Sequence, residues 1–224
     1  MHAPTPAPRS VWLVRHAESA SNAGLPTEST KSNPLSPLGR EQAARLAQAF
    51  PFAPDLVVTS SYLRTVQTAE PLLNRFPKTP VSEWEIHEFT FLSGEKYRGT
   101  TEKDRLEAVQ RYWALGDASY LDGDGAESFA AFMLRVEVML AQIRQLEPGF
   151  TVIFSHGYVM KALLWRLLFR PESDPTLLIG PFTQLHRLLQ VNNTTVFPLT
   201  VEHDGHISVG QPWEFPFDAA APRV

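Results

Sequence analysis

Three apolar runs in this chain end on residues that could handle an anionic substrate. Val11-Trp12-Leu13-Val14 leads into Arg15-His16, and Thr151-Val152-Ile153-Phe154-Ser155 leads into His156-Gly157. Leu56-Val57-Val58-Thr59 leads into Ser60-Ser61-Tyr62-Leu63-Arg64. Runs rich in β-branched and aromatic residues read as buried strands. A buried strand ending on a cation or an imidazole delivers it to the carboxyl edge of a sheet, where open α/β folds bind ligands. An Arg-His pair taken alone could simply end a strand at the surface, and one histidine could be a satisfied core residue. Two imidazoles and two guanidiniums arriving in the same way suit phosphoryl transfer. Arg15 and Arg64 can hold phosphate oxygens by forked, charge-assisted hydrogen bonds. The transition state spreads charge over those same oxygens, so the contacts also lower the barrier. One histidine must be neutral to attack, and neighbouring arginines favour that form. Asn22, Ser19 and the Gly157 amide can add neutral donors, glycine allowing a ligand close to the backbone.

Arg15-His16-Ala17-Glu18-Ser19, with Asn22 three residues on, resembles the first signature of the histidine phosphatase superfamily, the phosphoglycerate-mutase-like proteins. The resemblance extends through Leu35-Ser36-Pro37-Leu38-Gly39 with Gln42-Ala43. It continues through an ungapped Ser-x-x-x-Arg-x-x-Gln-Thr-Ala from Ser60 to Ala69, and through the strand ending in Ser155-His156-Gly157. It covers roughly residues 10 to 200. It implies a three-layer α/β/α sandwich with a mostly parallel sheet, and it orders the two histidines, which their own chemistry does not. His16 becomes the nucleophile, forming a phosphohistidine, and His156 becomes the electrostatic partner of the phosphoryl group.

The leaving alcohol needs a proton, so a general acid is expected. The resemblance takes it from the loop after the third strand, where Glu85 and Glu88 compete. Glu88 is preferred, being beside Phe89 and nearer the Gly99-Thr100 stretch, although the spacing departs from the family's usual pattern. No metal or other cofactor is expected, because the arginines and imidazoles already meet the charge that a magnesium ion would neutralise. The resemblance favours a phosphatase acting on a small phosphorylated organic substrate. The family's mutases usually carry Gly and Trp where Ala17 and Ser21 stand here. A mutase, or a phosphate-binding module without turnover, is the alternative.

The elements that must position these residues follow from local signals. Ser36 is a good helix N-cap with Pro37 at the first helical position, and Pro51 and Pro54 follow the helix. Ser61 is expected to cap a second helix with Arg64 in its first turn. A cation there opposes the helix dipole, a conflict that a bound anion would relieve. Residues 101–113 read as helical, and a long amphipathic helix runs from Glu127-Ser128 to about Leu146. Its stripe of Phe129, Phe132, Met133, Val136, Met139, Leu140 and Ile143 reads as core. Leu188–Val191 and Thr194–Leu199 read as late strands, with a hairpin at Asp204-Gly205. His203 and His206 flank that hairpin, and Asn192-Asn193-Thr194-Thr195 contains glycosylation-like triplets. Asp122 and Asp124 with their neighbouring glycines read as a plain turn, lacking calcium-loop spacing. Residues 1–9 read as a loose tail and 10–224 as one domain. Segments at about 79–125 and after 170 are expected to cap the pocket, with Trp84, Phe89, Phe91 and Trp113 able to make that cap apolar.

The totals agree with this reading. The 224 residues are 43% hydrophobic and 20% charged, ordinary for a globular domain with a sizeable core. A net charge of −4 and the lack of a basic tract argue against a nucleic-acid partner. With no cysteine, disulfides, thiolate metal sites and Cys nucleophiles are excluded. The first nine residues lack the apolar core of a signal peptide, and no apolar run reaches membrane-spanning length, so a cytoplasmic location without membrane association is the expectation.

Overall fold

Alternation along the first strand decides the layers. In β1 (Arg9–Arg15), Val11 and Leu13 point to one face of the sheet while Trp12 and Val14 point to the other. Both faces are buried, so helices must cover both. The computed structural model describes residues 9–169 and 175–214, and within them helices do cover both faces. On one face, α1 (Pro37–Gln48), Phe50 just after it and α2 (Leu63–Arg75) pack Leu46, Ala47, Phe50, Ala69 and Leu72 against Val14, Val57, Val152 and Phe154. On the other, α4 (Phe129–Arg144), α5 (Gly157–Phe169) and α6 (Pro175–Leu188) pack against Val11, Leu13, Val58 and Ile153. The expected stripe of α4 is buried in full, from Phe129 to Ile143.

Among the described residues the sheet has six strands, in the order β3-β2-β4-β1-β5-β6. Its parallel part comprises β3 (Val81–Glu83), β2 (Leu56–Thr59), β4 (Gly149–Ser155) and β1, while β5 (Val196–Val201) and β6 (Ile207–Val209) add an antiparallel edge. After β3 the chain crosses the pocket, forms α3 (Leu106–Leu115) and α4, and returns to insert β4 between β2 and β1. That reversal places the carboxyl ends of β1 and β4 side by side, and such a switch point is where open α/β sheets bind ligands.

Four expectations need correction. Leu188 ends a helix and Leu189–Val191 is irregular, so no strand forms there. The helix that precedes it, α6, carries Pro175 at its first position, where a missing N–H costs nothing. The late strands β5 and β6 belong to the sheet rather than to a cover over the pocket. Ser61 is not the cap of α2: that position is taken by Tyr62, with no side-chain cap, although Arg64 does fall in the first turn. The tail is also shorter at its described end, since Arg9 already pairs with Gly149 and Val201; residues 1–8 and 215–224 lie outside the described residues. No helix among the described residues is long and apolar enough to cross a membrane.

Candidate active site

The β1–β4 register brings the two histidines together. Arg15 pairs with Ser155, and the next amide, His16 N–H, donates to Ser155 O at 3.0 Å. The imidazoles of His16 and His156 follow from adjacent strand ends with ring centroids 5.2 Å apart. Arg64 reaches the same point from the first turn of α2, and its Nε–H donates to His16 Nε2 at 3.1 Å.

Two hydrogen bonds fix the state of His16. Its Nδ1 lies 2.7 Å from the Ala17 carbonyl, which can only accept, and its Nε2 faces a guanidinium, which can only donate. The ring is therefore neutral, with the proton on Nδ1 and the lone pair on Nε2. Burial, then Arg64 and Arg15, hold its pKa well below the usual imidazole value, in agreement with that assignment. Burial likewise pushes the Arg64 guanidinium down to about 10, so it stays charged at neutral pH. Arg64 Nη1 donates to Thr30 O at 2.7 Å, and Arg15 Nη1 donates to Val191 O at 2.5 Å. Arg15 Nε and His156 Nδ1 are both buried without a hydrogen-bond partner. Unpaired buried polar atoms are costly; Arg15 lines the cavity described below, and the His156 ring stands behind it, against that of His16.

The loop after β1 is held by the side chains of the sequence signatures. Thr68 accepts from Ala17 N–H at 3.0 Å, Gln42 accepts from Glu18 N–H at 2.8 Å, and Gln67 accepts from Leu35 N–H at 2.8 Å. Ser36 caps α1 by accepting from Gly39 N–H at 2.9 Å and donates to the Glu18 carboxylate at 2.6 Å. Gly39 is required there, because a Cβ would stand 1.9 Å from Glu18 O. Ser19 and Asn22 close the loop on each other: Ser19 N–H donates to Asn22 Oδ1, and Asn22 N–H donates to Ser19 Oγ, each at 3.3 Å. Asn193 then donates from Nδ2 to His16 O at 2.9 Å and to Asn22 Oδ1 at 3.2 Å.

The loop after β3 carries Glu88 across the carboxyl edge. Trp84 N–H donates to Thr59 O at 3.0 Å and Ser155 Oγ donates to Ile86 O at 3.2 Å. From α4, Arg135 donates to the carbonyls of Glu85 and His87 at 3.1 and 2.8 Å while paired with Glu127 at 2.7 Å. So held, Glu88 accepts from Tyr158 N–H at 3.1 Å and from Phe89 N–H at 3.0 Å, at the start of α5. Gly157 sits between Glu88 and Arg15: a Cβ there would lie 3.6 Å from both Glu88 Oε2 and Arg15 Nε. Glu85 points away, its side chain 80% exposed and paired with His87 at 3.4 Å.

Arg15, His16, Ser19, Asn22, Arg64 and Glu88 line one cavity of about 610 Å³, within the range of small-molecule sites. Sequence reasoning missed Glu102, which lines the same cavity and accepts from Ser21 Oγ at 3.1 Å and Asn22 Nδ2 at 3.2 Å. Of the four aromatic residues expected in the cap, Phe89 and Phe91 line the cavity, whereas Trp84 and Trp113 pack into the core behind it. The stretch carrying Glu102 is tied to the first loop by Thr27, which donates to Thr100 O and accepts from Gly99 N–H at 3.0 and 2.9 Å. Among the described residues, no group of three or more His, Cys, Asp or Glu side chains gathers as a metal cluster.

Comparison with known proteins agrees with this geometry. The family profile of the histidine phosphatase superfamily (branch 1) matches residues 11–205. The curated 6-phosphofructo-2-kinase/fructose-2,6-bisphosphatase 4 of Homo sapiens is 31% identical over 194 residues, covering 82% of this chain and 37% of that protein. The Rattus norvegicus protein of the same name is 29% identical over the same length. The chain thus spans 37% of the length of these curated relatives. A mutant phosphoserine phosphatase from Entamoeba histolytica, solved with phosphoserine, is similar in fold, with a TM-score of 0.67 at 22% identity, covering 91% of this chain and 96% of that one. The alpha-ribazole phosphatase of Shigella flexneri gives a TM-score of 0.69 at 24% identity, covering 90% and 94%. With the signatures, the paired histidines and the matched span in agreement, the chain belongs to the histidine phosphatase superfamily, branch 1.

Proposed function

We propose that the chain hydrolyses phosphomonoesters through a phosphohistidine on His16, without a metal ion. The observation that carries this reading is the His16 tautomer, whose Nε2 lone pair is aimed at Arg64 inside a cavity shared with Arg15 and Glu88. In the first step Nε2 attacks phosphorus, the P–N bond forms and the ester P–O bond breaks. Protonated Glu88 gives its proton to the departing alkoxide. Arg15 and Arg64 hold the equatorial oxygens throughout, with Asn22, Ser19 and the Gly157 amide as neutral donors. In the second step water attacks the phosphohistidine and Glu88 takes its proton back, releasing phosphate and restoring His16.

The two guanidiniums and a protonatable His156 meet the charge of the phosphoryl group, which supports the metal-free reading. Leu92, Leu106 and Val109 join Phe89 and Phe91 in the cavity wall, and Leu106 remains 55% exposed. That wall supports a substrate whose alcohol is bulky and apolar.

The experiment is hydrolysis of p-nitrophenyl phosphate in EDTA by the unaltered chain and by His16→Ala. Turnover that survives EDTA and vanishes in the variant is expected. Silence of the unaltered chain from pH 5 to 8, together with phosphoryl exchange between sugar acids, would replace this reading with a mutase. Phosphate binding without either activity would make the chain a binding module.

A further inference from the structure

Ser60 links a short row of buried hydroxyls to His156. Its Oγ lies 2.7 Å from His156 Nε2 and 2.8 Å from Thr65 Oγ1, and it accepts from Tyr62 N–H at 3.2 Å. Thr65 Oγ1 in turn lies 2.7 Å from Tyr62 O and 3.2 Å from Ser60 O. Ser60, Thr65 and His156 are all 0% exposed, so the row is closed to bulk solvent.

The hydrogens in this row can be assigned one by one. A hydroxyl oxygen 2.7 Å from a carbonyl oxygen needs a hydrogen between them, and Thr65 has only one to give. Thr65 Oγ1 must then accept from Ser60, which commits the single Ser60 proton. Ser60 Oγ has only lone pairs left for Tyr62 N–H and for His156. His156 Nε2 therefore carries a proton, and in the neutral ring Nδ1 carries the lone pair. Nδ1 is the buried atom that has no partner. The two imidazoles are thus opposite tautomers. His16 presents Nε2 as a nucleophile, and His156 presents Nδ1.

We propose that Ser60 and Thr65 are positioning residues, which hold His156 as its Nε2–H tautomer so that Nδ1 gains a proton when a phosphoryl dianion enters the cavity. One proton comes from solvent and no covalent bond breaks. The imidazolium then donates from both nitrogens, Nε2–H to Ser60 and Nδ1–H to a phosphoryl oxygen. The groups that face His156 are Arg64 from α2, His16 and Arg15 from the end of β1, and His87 from the loop after β3, with the Tyr62 ring edge against it. Burial and the two of these that are always charged, both cations, hold the ring neutral. A dianion seated among them reverses that local field. The benefit to turnover rests on the hydrolase reading above; the tautomer and the proton uptake do not.

The test reads the ring nitrogens directly. In ¹⁵N-histidine-labelled protein at pH 7 without anions, long-range correlation spectra are expected to show His156 as a neutral Nε2–H ring. Saturating sulfate, a dianion with no titratable proton at that pH, is expected to convert His156 to imidazolium. Buffer-dependent heats of sulfate binding are expected to report uptake of close to one proton. Ser60→Ala is expected to mix the tautomers and lower kcat for p-nitrophenyl phosphate roughly tenfold with little change in KM. Ser60→Thr, which keeps the hydroxyl, is expected to restore both. A free His156 protonated on Nδ1, or one that stays neutral in saturating sulfate, overturns the proposal. The expected tautomer and uptake in a chain with no turnover would uphold the proton assignment and refute the hydrolase reading instead.

Discussion

Arg64 Nε–H donates to His16 Nε2 across 3.1 Å, in a place where His16 is 2% and Arg64 6% exposed. A cation that donates to the lone pair keeps that nitrogen unprotonated, and in the proposed reaction it occupies the direction from which phosphorus comes. On that reading the incoming phosphoryl group has to draw the guanidinium onto its own oxygens before attack. Substrate binding and release of the nucleophile are then one event.

Arg64→Lys should show how much of this depends on the planar fork. Lysine keeps the charge but cannot bond a phosphoryl oxygen and an imidazole in one plane. Loss of one preorganised transition-state donor gives an expected fall in kcat of about 10²- to 10³-fold. Steady-state kinetics on p-nitrophenyl phosphate measures it; a fall below tenfold would mean that charge alone suffices.

The acid is tested by leaving groups rather than by a single rate. Glu88→Gln should slow alkyl phosphates far more than aryl phosphates, whose leaving oxygens need little protonation. Glu85→Gln, with its carboxylate 80% exposed, should leave the ranking of substrates unchanged. Glu102→Gln separates a third possibility, since its carboxylate bonds Ser21 and Asn22 within the same cavity. The steeper dependence on leaving-group pKa is expected in Glu88→Gln alone.

Acid should destabilise the fold through the same pair of rings. His16 and His156 are held neutral well below the usual imidazole pKa, first by burial and then by Arg64. In the unfolded chain they take up protons near pH 6.5. Below that pH the unfolded state binds protons that the folded state refuses, so stability falls as pH falls. Above it both states are neutral and these rings add no pH dependence. Each ring contributes a slope of about 1.4 kcal/mol per pH unit in the acid range. Urea unfolding at pH 7, 6 and 5 should show the decline, and His16→Ala should flatten it by about one ring's share.

Gly39→Ala should damage the site from a distance. The added methyl would collide with the backbone oxygen of Glu18, and neither atom can be moved by turning a side chain. Overpacking of this kind costs about 1–3 kcal/mol. A lower denaturation midpoint is expected together with a raised KM, because the displaced segment runs directly into Ser19 and Asn22.

The central strands were legible because each was a short apolar run ending on a residue of different character, and the register of β1 with β4 then placed His16 beside His156. Glu88 was legible only through the family resemblance, since nothing local separates it from Glu85; Arg135, 47 residues on, decides which way that loop lies. α6 was hidden by Gly180-Pro181 within it and by the ambiguity of the apolar run at its end. Glu102 sits in a charged stretch that reads as a solvated helix start, and only the closure of Thr27 on Thr100 carries it to the pocket. Asn193 looked like part of a glycosylation triplet, whereas its amide is committed to His16 O and Asn22 Oδ1.

That brace comes from 177 residues further along the chain. Thr195 O accepts from Arg15 N–H at 3.0 Å, Thr194 N–H donates to Arg15 O at 3.1 Å, and Val191 O accepts from the Arg15 guanidinium. His16 is synthesised well before the segment that steadies it. During translation the two histidines can meet once β4 has emerged, but the loop around His16 gains its final hydrogen bonds only when residues 191–201 arrive. A ribosome-bound chain stalled between these points would hold a nearly complete fold with an unfinished centre.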